Sequence, residues 1–359
     1  MWSNAALLGL LEIDCPIVQA PMAGASGAAL AAAVASAGGL GSLPCAALTL
    51  SEVRAEVRLI RQATPRPLNL NFFCHVPAEF DAEVERIWQQ QLAPYYRELD
   101  LPMPQPSNRA ARAPFDEAAC ELVEEIRPEV VSFHFGLPAP ELLDRVKAAG
   151  ALIFGTATTV REGQWLRRKG CDVVVAQGYE AGGHRGLFLE DKIDSQSGTL
   201  ALVPQMVDAL DVPVIAAGGI ADARGIVAAL ALGAAGVQLG TAYLRTPESL
   251  ASAVHRAALR EATEASTAVT NLFSGRPARG LVNRLMSELG PLSEYAPAYP
   301  NASAAITPLK TAAEAEGRPD YSAIWSGQAA SLGTDLPAGE LTQSLAEEAL
   351  ALMHSMAGG

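Results

Sequence analysis

The feature that most constrains this chain is a rhythm of eight short apolar runs, separated by helix-like segments or loops. The runs are Pro16–Ala20, Leu40–Leu43, Leu68–Phe73, Val130–Phe135, Leu152–Gly155, Val173–Gln177, Val212–Ala217 and Gly236–Gly240. Short apolar runs that alternate with helical segments read as strands buried on both faces, the habit of a parallel sheet. Between them the pattern predicts helices over Gly27–Ala37, Pro140–Ala149 and Ala223–Leu232, each followed at once by a glycine that stops it. Eight is the number that closes a barrel. An open doubly wound sheet usually has about six strands and a GxGxxG turn after the first, and no such turn is present. The predicted fold class is therefore α/β, a (β/α)8 TIM barrel.

A barrel of this kind takes ~250 residues, whereas the chain has 359. The excess falls in two places. Pro77–Pro114, with Trp88, Tyr95, Tyr96 and the prolines Pro102, Pro104 and Pro106, reads as a helix and then an irregular loop over the strands' C-terminal ends. From Pro247 to about Thr334, two helix-like pieces and loops rich in Pro, Ser and Gly read as a cap. Glu340–Met356 has apolar residues at helical spacing and reads as the last barrel helix, packing back. The expected division is a barrel of 1–246 with 335–359 and a smaller C-terminal cap subdomain, 247–334, inserted after strand eight.

Half of the residues are hydrophobic and 18% are charged, which provides a large core and excludes a disordered chain. The formal net charge of −13 is spread along the chain. Such a chain repels nucleic-acid backbones and anionic membranes, so neither is an expected partner. Any phosphate it binds has to be held by backbone N–H groups and helix N-termini. Cys15, Cys45, Cys74, Cys120 and Cys171 are scattered, with no CxxC spacing. That favours a reducing, cytoplasmic setting without a disulfide framework or a metal site. No apolar stretch reaches membrane-spanning length, and no basic region followed by a long apolar run opens the chain.

Residues at the C-terminal ends of barrel strands face the mouth, where such enzymes place their chemistry. Strand one runs into Ala20-Pro21-Met22, a turn that could face a planar ligand but is also how any turn is made. Strand seven ends in Gly218-Gly219 and strand eight in Gly240-Thr241, the two loops that bind phosphate in many barrels. Without a ligand they would be tight turns, and Asp222 next to them reads as a helix N-cap. After strand six, Gln177 leads into Gly182-Gly183-His184-Arg185-Gly186, richer in glycine than an idle surface loop requires. Strand four presents His134, the best placed of five histidines, able to share a proton near neutral pH. The plain alternative is a satisfied core histidine between phenylalanines. His255 and His354 lie in helical segments and read as structural. Asn71 at the end of strand three could hydrogen-bond a ring edge, and in the cap Tyr299, Lys310, Trp325 and Gln328 are the residues to watch.

Taken together, Gln19-Ala20-Pro21-Met22, Asn71-Phe72-Phe73-Cys74-His75, Ser132-Phe133-His134-Phe135-Gly136, the Gly182–Gly186 loop and Gly218-Gly219-Ile220 resemble the class I nitronate monooxygenases, formerly 2-nitropropane dioxygenases. The resemblance runs from about Ile13 to Gln328. It implies an FMN-dependent oxidoreductase that uses O2 to oxidise alkyl nitronates, propionate 3-nitronate foremost, through a flavin semiquinone. The products would be an aldehyde or oxo acid with nitrite or nitrate. It implies His134 as the catalytic histidine, and Ala20, Met22, Asn71, Gln177, Gly182, Gly183, Gly218, Gly219, Gly240 and Thr241 as FMN contacts. His184, Tyr243, Tyr299 and Lys310 would line the substrate site, and a homodimer is the candidate assembly. An NAD(P)H-dependent flavin reductase on the same fold is the rival reading, since the glycine loops are shared with enoyl-thioester reductases.

Overall fold

The computed structural model describes residues 2, 4–105 and 113–358; Pro106, in the proline run, lies outside them. The barrel strands are β1 (Ile17–Gln19), β2 (Gly41–Pro44), β3 (Leu68–Phe73), β4 (Val130–His134), β5 (Leu152–Ala157) and β6 (Val173–Gln177). A two-residue strand outside the barrel, β7 (Gly183–His184), precedes β8 (Val214–Ala217) and β9 (Gly236–Leu239). The eight barrel strands are parallel in the order β1-β9-β8-β6-β5-β4-β3-β2. A parallel bridge between Val18 and Leu40 joins the two ends, so the sheet closes on itself. All eight expected runs are strands, displaced by no more than two residues at either end.

Two layers follow from the alternation of side chains along each strand. Leu70, Val131, Phe133, Val174 and Ala216 point outward into the helix layer. Val18, Val130, Phe154, Val173 and Ile215 point inward, where Leu7 and Leu11 of a short N-terminal helix, Ala6–Leu11, plug the bottom. The same inward parity, continued up each strand, puts Asn71, Ser132, His134, Thr156 and Gln177 at the top. The last helix, Ala338–Ala357, packs between Ala28–Ser36 and Ala223–Ala231 and completes the outer ring, as expected of Glu340–Met356.

The segment after β9 contains an antiparallel hairpin, β10 (Thr267–Thr270) and β11 (Ala278–Leu281), and the helix Ser303–Ala315. β11 also pairs with β7, with Ala278 opposite His184 and Arg279 opposite Gly183, so the glycine loop after β6 is the third strand of this small sheet. The helix Ala82–Glu98 lies between β3 and β4, where a helix was expected. Its Trp88, Leu92 and Tyr96 share one core cluster with Leu272, Leu285 and Ile306. The helix Ala82–Glu98 and described residues of the segment after β9 thus share one core. No helix among the described residues is long and apolar enough to cross a membrane.

Candidate active site

A cavity of about 500 Å³ opens at the C-terminal ends of the strands, under the cap. His134 is half-buried in its wall. Its Nε2 lies 3.2 Å from the His184 carbonyl, and a carbonyl can only accept, so Nε2 carries the proton and Nδ1 keeps the lone pair. Burial pushes its pKa down to about 3; the bond to His184 opposes this, and the Arg276 and Arg185 charges add to it. The next residue, Phe135, stands at φ 69°, a left-handed backbone that a bulky side chain seldom adopts. Its ring is held between the Arg276 guanidinium, 4.2 Å from the centroid, and the rings of Phe73 and Tyr299.

The loop that accepts the His134 hydrogen bond is braced on both sides. Gln177, expected to reach a ring edge or ribose, lines the cavity but spends its amide on the loop. It donates to the His184 carbonyl (3.0 Å) and accepts from the Gly186 N–H (2.8 Å). Buried Glu162 accepts from the N–H groups of Phe188 and Leu189 (2.7 and 3.3 Å). The Asn71 amide nitrogen is committed to Ser132 (2.9 Å to Oγ), which leaves its oxygen for a ligand.

Opposite, the wall is bare backbone. Gly182, Gly183, Gly218, Gly219 and Gly240 all line it, beside Ala20, Met22 and Thr241. Gly218 sits at φ 113°, and a Cβ there would stand 2.9 Å from the Ala181 nitrogen. A Cβ on Gly182 would stand 2.5 Å from the Gly327 nitrogen. Only glycine permits that approach. The Gly327 N–H in turn donates to Thr241 Oγ1 (2.9 Å), and the Gln328 N–H donates to the Glu180 carbonyl (3.0 Å). The segment Trp325–Gln328 therefore clasps the loops after β6 and β9. Asp222 caps Ala223–Ala231 through the Gly225 N–H, as its position suggested. A glycine-lined pocket with a helix N-terminus nearby suits a phosphate.

The cap side carries the remaining polar groups. Lys310 lines the cavity from the helix Ser303–Ala315, with Nζ 4.0 Å from Glu314 Oε1. His184 lines it too, its ring nitrogen 2.8 Å from Ser274 Oγ. Tyr243 does not belong to this wall. Fully buried, with its hydroxyl 2.8 Å from Thr342 Oγ1, it packs in the barrel core beneath the last helix; the turn after β9 directs it outward from the mouth. Tyr299 stands one layer back, its ring against His75, Phe135 and His184 rather than on the cavity surface. His255, read from sequence as structural, lines the cavity, with Nε2 3.0 Å from the Trp325 carbonyl. It sits near the start of a cap helix, so no strand end marked it. Ser132 and Thr156 were legible in principle as polar residues at inward strand positions.

With this geometry in place, comparison with known proteins is decisive. The family model described as nitronate monooxygenase matches residues 4–348. The chain belongs to the nitronate monooxygenase family. The nitronate monooxygenase of Pseudomonas aeruginosa is 45% identical over 94% of this chain and 97% of its own. That of Paraburkholderia phytofirmans is 44% identical over 96% and 94%. Among solved structures, the nitroalkane oxidase of Streptomyces ansochromogenes superposes with a TM-score of 0.88 at 39% identity, covering 98% of this chain and 99% of that one. FabK from Thermotoga maritima superposes at 0.75 with 26% identity. Membership makes this nitronate monooxygenase relative an oxidoreductase acting on a small-molecule nitronate. Among the described residues no cluster of His, Cys, Asp or Glu is arranged to hold a metal ion.

Proposed function

We propose that this protein binds FMN and oxidises propionate 3-nitronate or a close alkyl nitronate with O2, giving an aldehyde or oxo acid with nitrite or nitrate. The observation that carries the reading is one cavity lined both by the glycines of three strand-end loops and by the imidazole of His134. Gly182, Gly183, Gly218, Gly219, Gly240 and Thr241 would hold the phosphate end, and Met22, Ala20 and the Asn71 oxygen the ring. The bound flavin supplies the electron-accepting ring.

The chain's own groups handle the anion. His134 rests neutral with Nδ1 unprotonated, and so weak a base suits removal of a carbon-bound proton poorly. A nitronate has already lost that proton. As its negative oxygen approaches Nδ1, the anion raises the proton affinity of the ring. His134 takes up a proton from solvent at Nδ1 as the nitronate enters and holds the anion by a charge-assisted hydrogen bond, while Nε2 stays anchored on His184. Lys310 adds positive charge from the helix Ser303–Ala315.

Anaerobic titration of the purified protein with propionate 3-nitronate and, separately, NADH tests the reading through the flavin spectrum. The nitronate is expected to change the spectrum and NADH to leave it unaltered. Bleaching by NADH without response to nitronate would move the assignment to a flavin reductase.

A further inference from the structure

Two arginines lie behind the glycine loop, on the side away from the cavity. Arg185 is fully buried and Arg279 is 3% exposed, and neither is part of the cavity wall. Arg185 donates to the carbonyls of Gln177 (2.9 Å) and Gly178 (2.8 Å) and to Gln196 Oε1 (2.6 Å). Arg279, on β11, donates to the Tyr179 carbonyl (3.0 Å) and to Thr267 Oγ1 (3.1 Å). The Tyr179 ring lies beside both guanidinia, at 5.8 and 4.8 Å. These partners are neutral. The carboxylate that bears on both, Glu180, is turned to the Thr199 N–H and hydroxyl (2.8 and 2.9 Å), at the start of the helix Thr199–Ala209.

Two buried cations held by neutral groups are costly unless something else balances them. Burial depresses the proton affinity of both, Arg185 to about 10, and the charges of Glu180 on both and of Glu162 on Arg185 offset it only in part. The carbonyls they hold belong to residues 177–179, and the backbone that continues as Gly182 and Gly183 lines the anion seat. We propose that Arg185 and Arg279 form a buried cationic seat behind the glycine loop that selects a flavin bearing a terminal phosphate over the same flavin without it. The inference rests on the FMN reading above and assigns the discrimination to charge, acting through one thickness of backbone, in a chain whose net charge is −13.

The test removes flavin from the purified holoenzyme and measures affinity for FMN and for riboflavin by fluorescence quenching. The wild type is expected to prefer FMN. Arg279→Met should cost that preference about tenfold or more with riboflavin affinity nearly unchanged, and Arg279→Lys, which keeps the charge, should retain most of it. A wild-type ratio of the two affinities in Arg279→Met overturns the proposal, including the case in which both affinities fall together because the loop has loosened. If Arg279→Met does not fold, Arg279→Gln carries the test: its preference for FMN over riboflavin should fall by a similar factor, and a wild-type ratio overturns the proposal. A wild type that binds neither flavin refutes the FMN reading itself.

Discussion

An imidazole in water titrates near pH ~6.5, whereas His134 stays neutral far below that, and burial holds the pKa of His255 down as well. In the unfolded chain both rings take protons as pH falls through ~6.5, and in the folded chain both do so only at lower pH, His134 far lower. Their contribution to stability is therefore fully present above that pH and is lost on acidification below about 6.5, for His134 toward about 3. Urea midpoints measured across this window should fall with pH, and His134→Asn should flatten part of the slope. A midpoint rising on acidification would contradict the burial of these rings. The same variant should keep its flavin and lose about a hundredfold or more in turnover of the nitronate, in the range of a lost donor that stabilises developing charge. Unchanged turnover removes His134 from the chemistry.

At the level of elements, the site depends on loops held at fixed distances by one another. Gly182→Ala forces its new carbon against the Gly327 backbone, which has no flexible end to yield. A loss of about 1–3 kcal/mol is expected, read as a lower thermal midpoint and a paler preparation as flavin escapes. The barrel strands were legible because runs buried on both faces leave a plain apolar signature. Val173–Gln177 and Leu68–Phe73 are found as read. Strand-end residues such as His134 inherit that legibility from their position. Tyr243 and His255 do not, because one stands in a turn whose direction no local pattern sets and the other in a helix whose facing partner is far away in sequence. The pairing of β7 with β11 was equally invisible, since its ladder joins two segments about ninety residues apart through peptide groups that every sequence carries.

Across the whole molecule, the two excess segments form one body. Trp88 is fully buried among residues of both, its Nε1 3.4 Å from the Ala302 carbonyl, and the Tyr96 hydroxyl donates to the Ala305 carbonyl (2.7 Å). Trp88→Ala should cost about 3–5 kcal/mol in urea denaturation. If the cap and the Ala82–Glu98 helix are one unit, flavin release should quicken as well, although Trp88 is not in the cavity wall. A variant destabilised by the full amount with unaltered flavin release would show that the upper layer is held apart from the site.

The seam between β7 and β11, like the clasp at Gly327 and Gln328, is sewn largely with peptide groups, and peptide groups are common to every residue but proline. A side chain such as Lys310, which faces the cavity without bonding the barrel's loops, can therefore be exchanged without unpicking that seam. Such a construction leaves the choice of guest free to drift while the anchorage of the prosthetic group stays put.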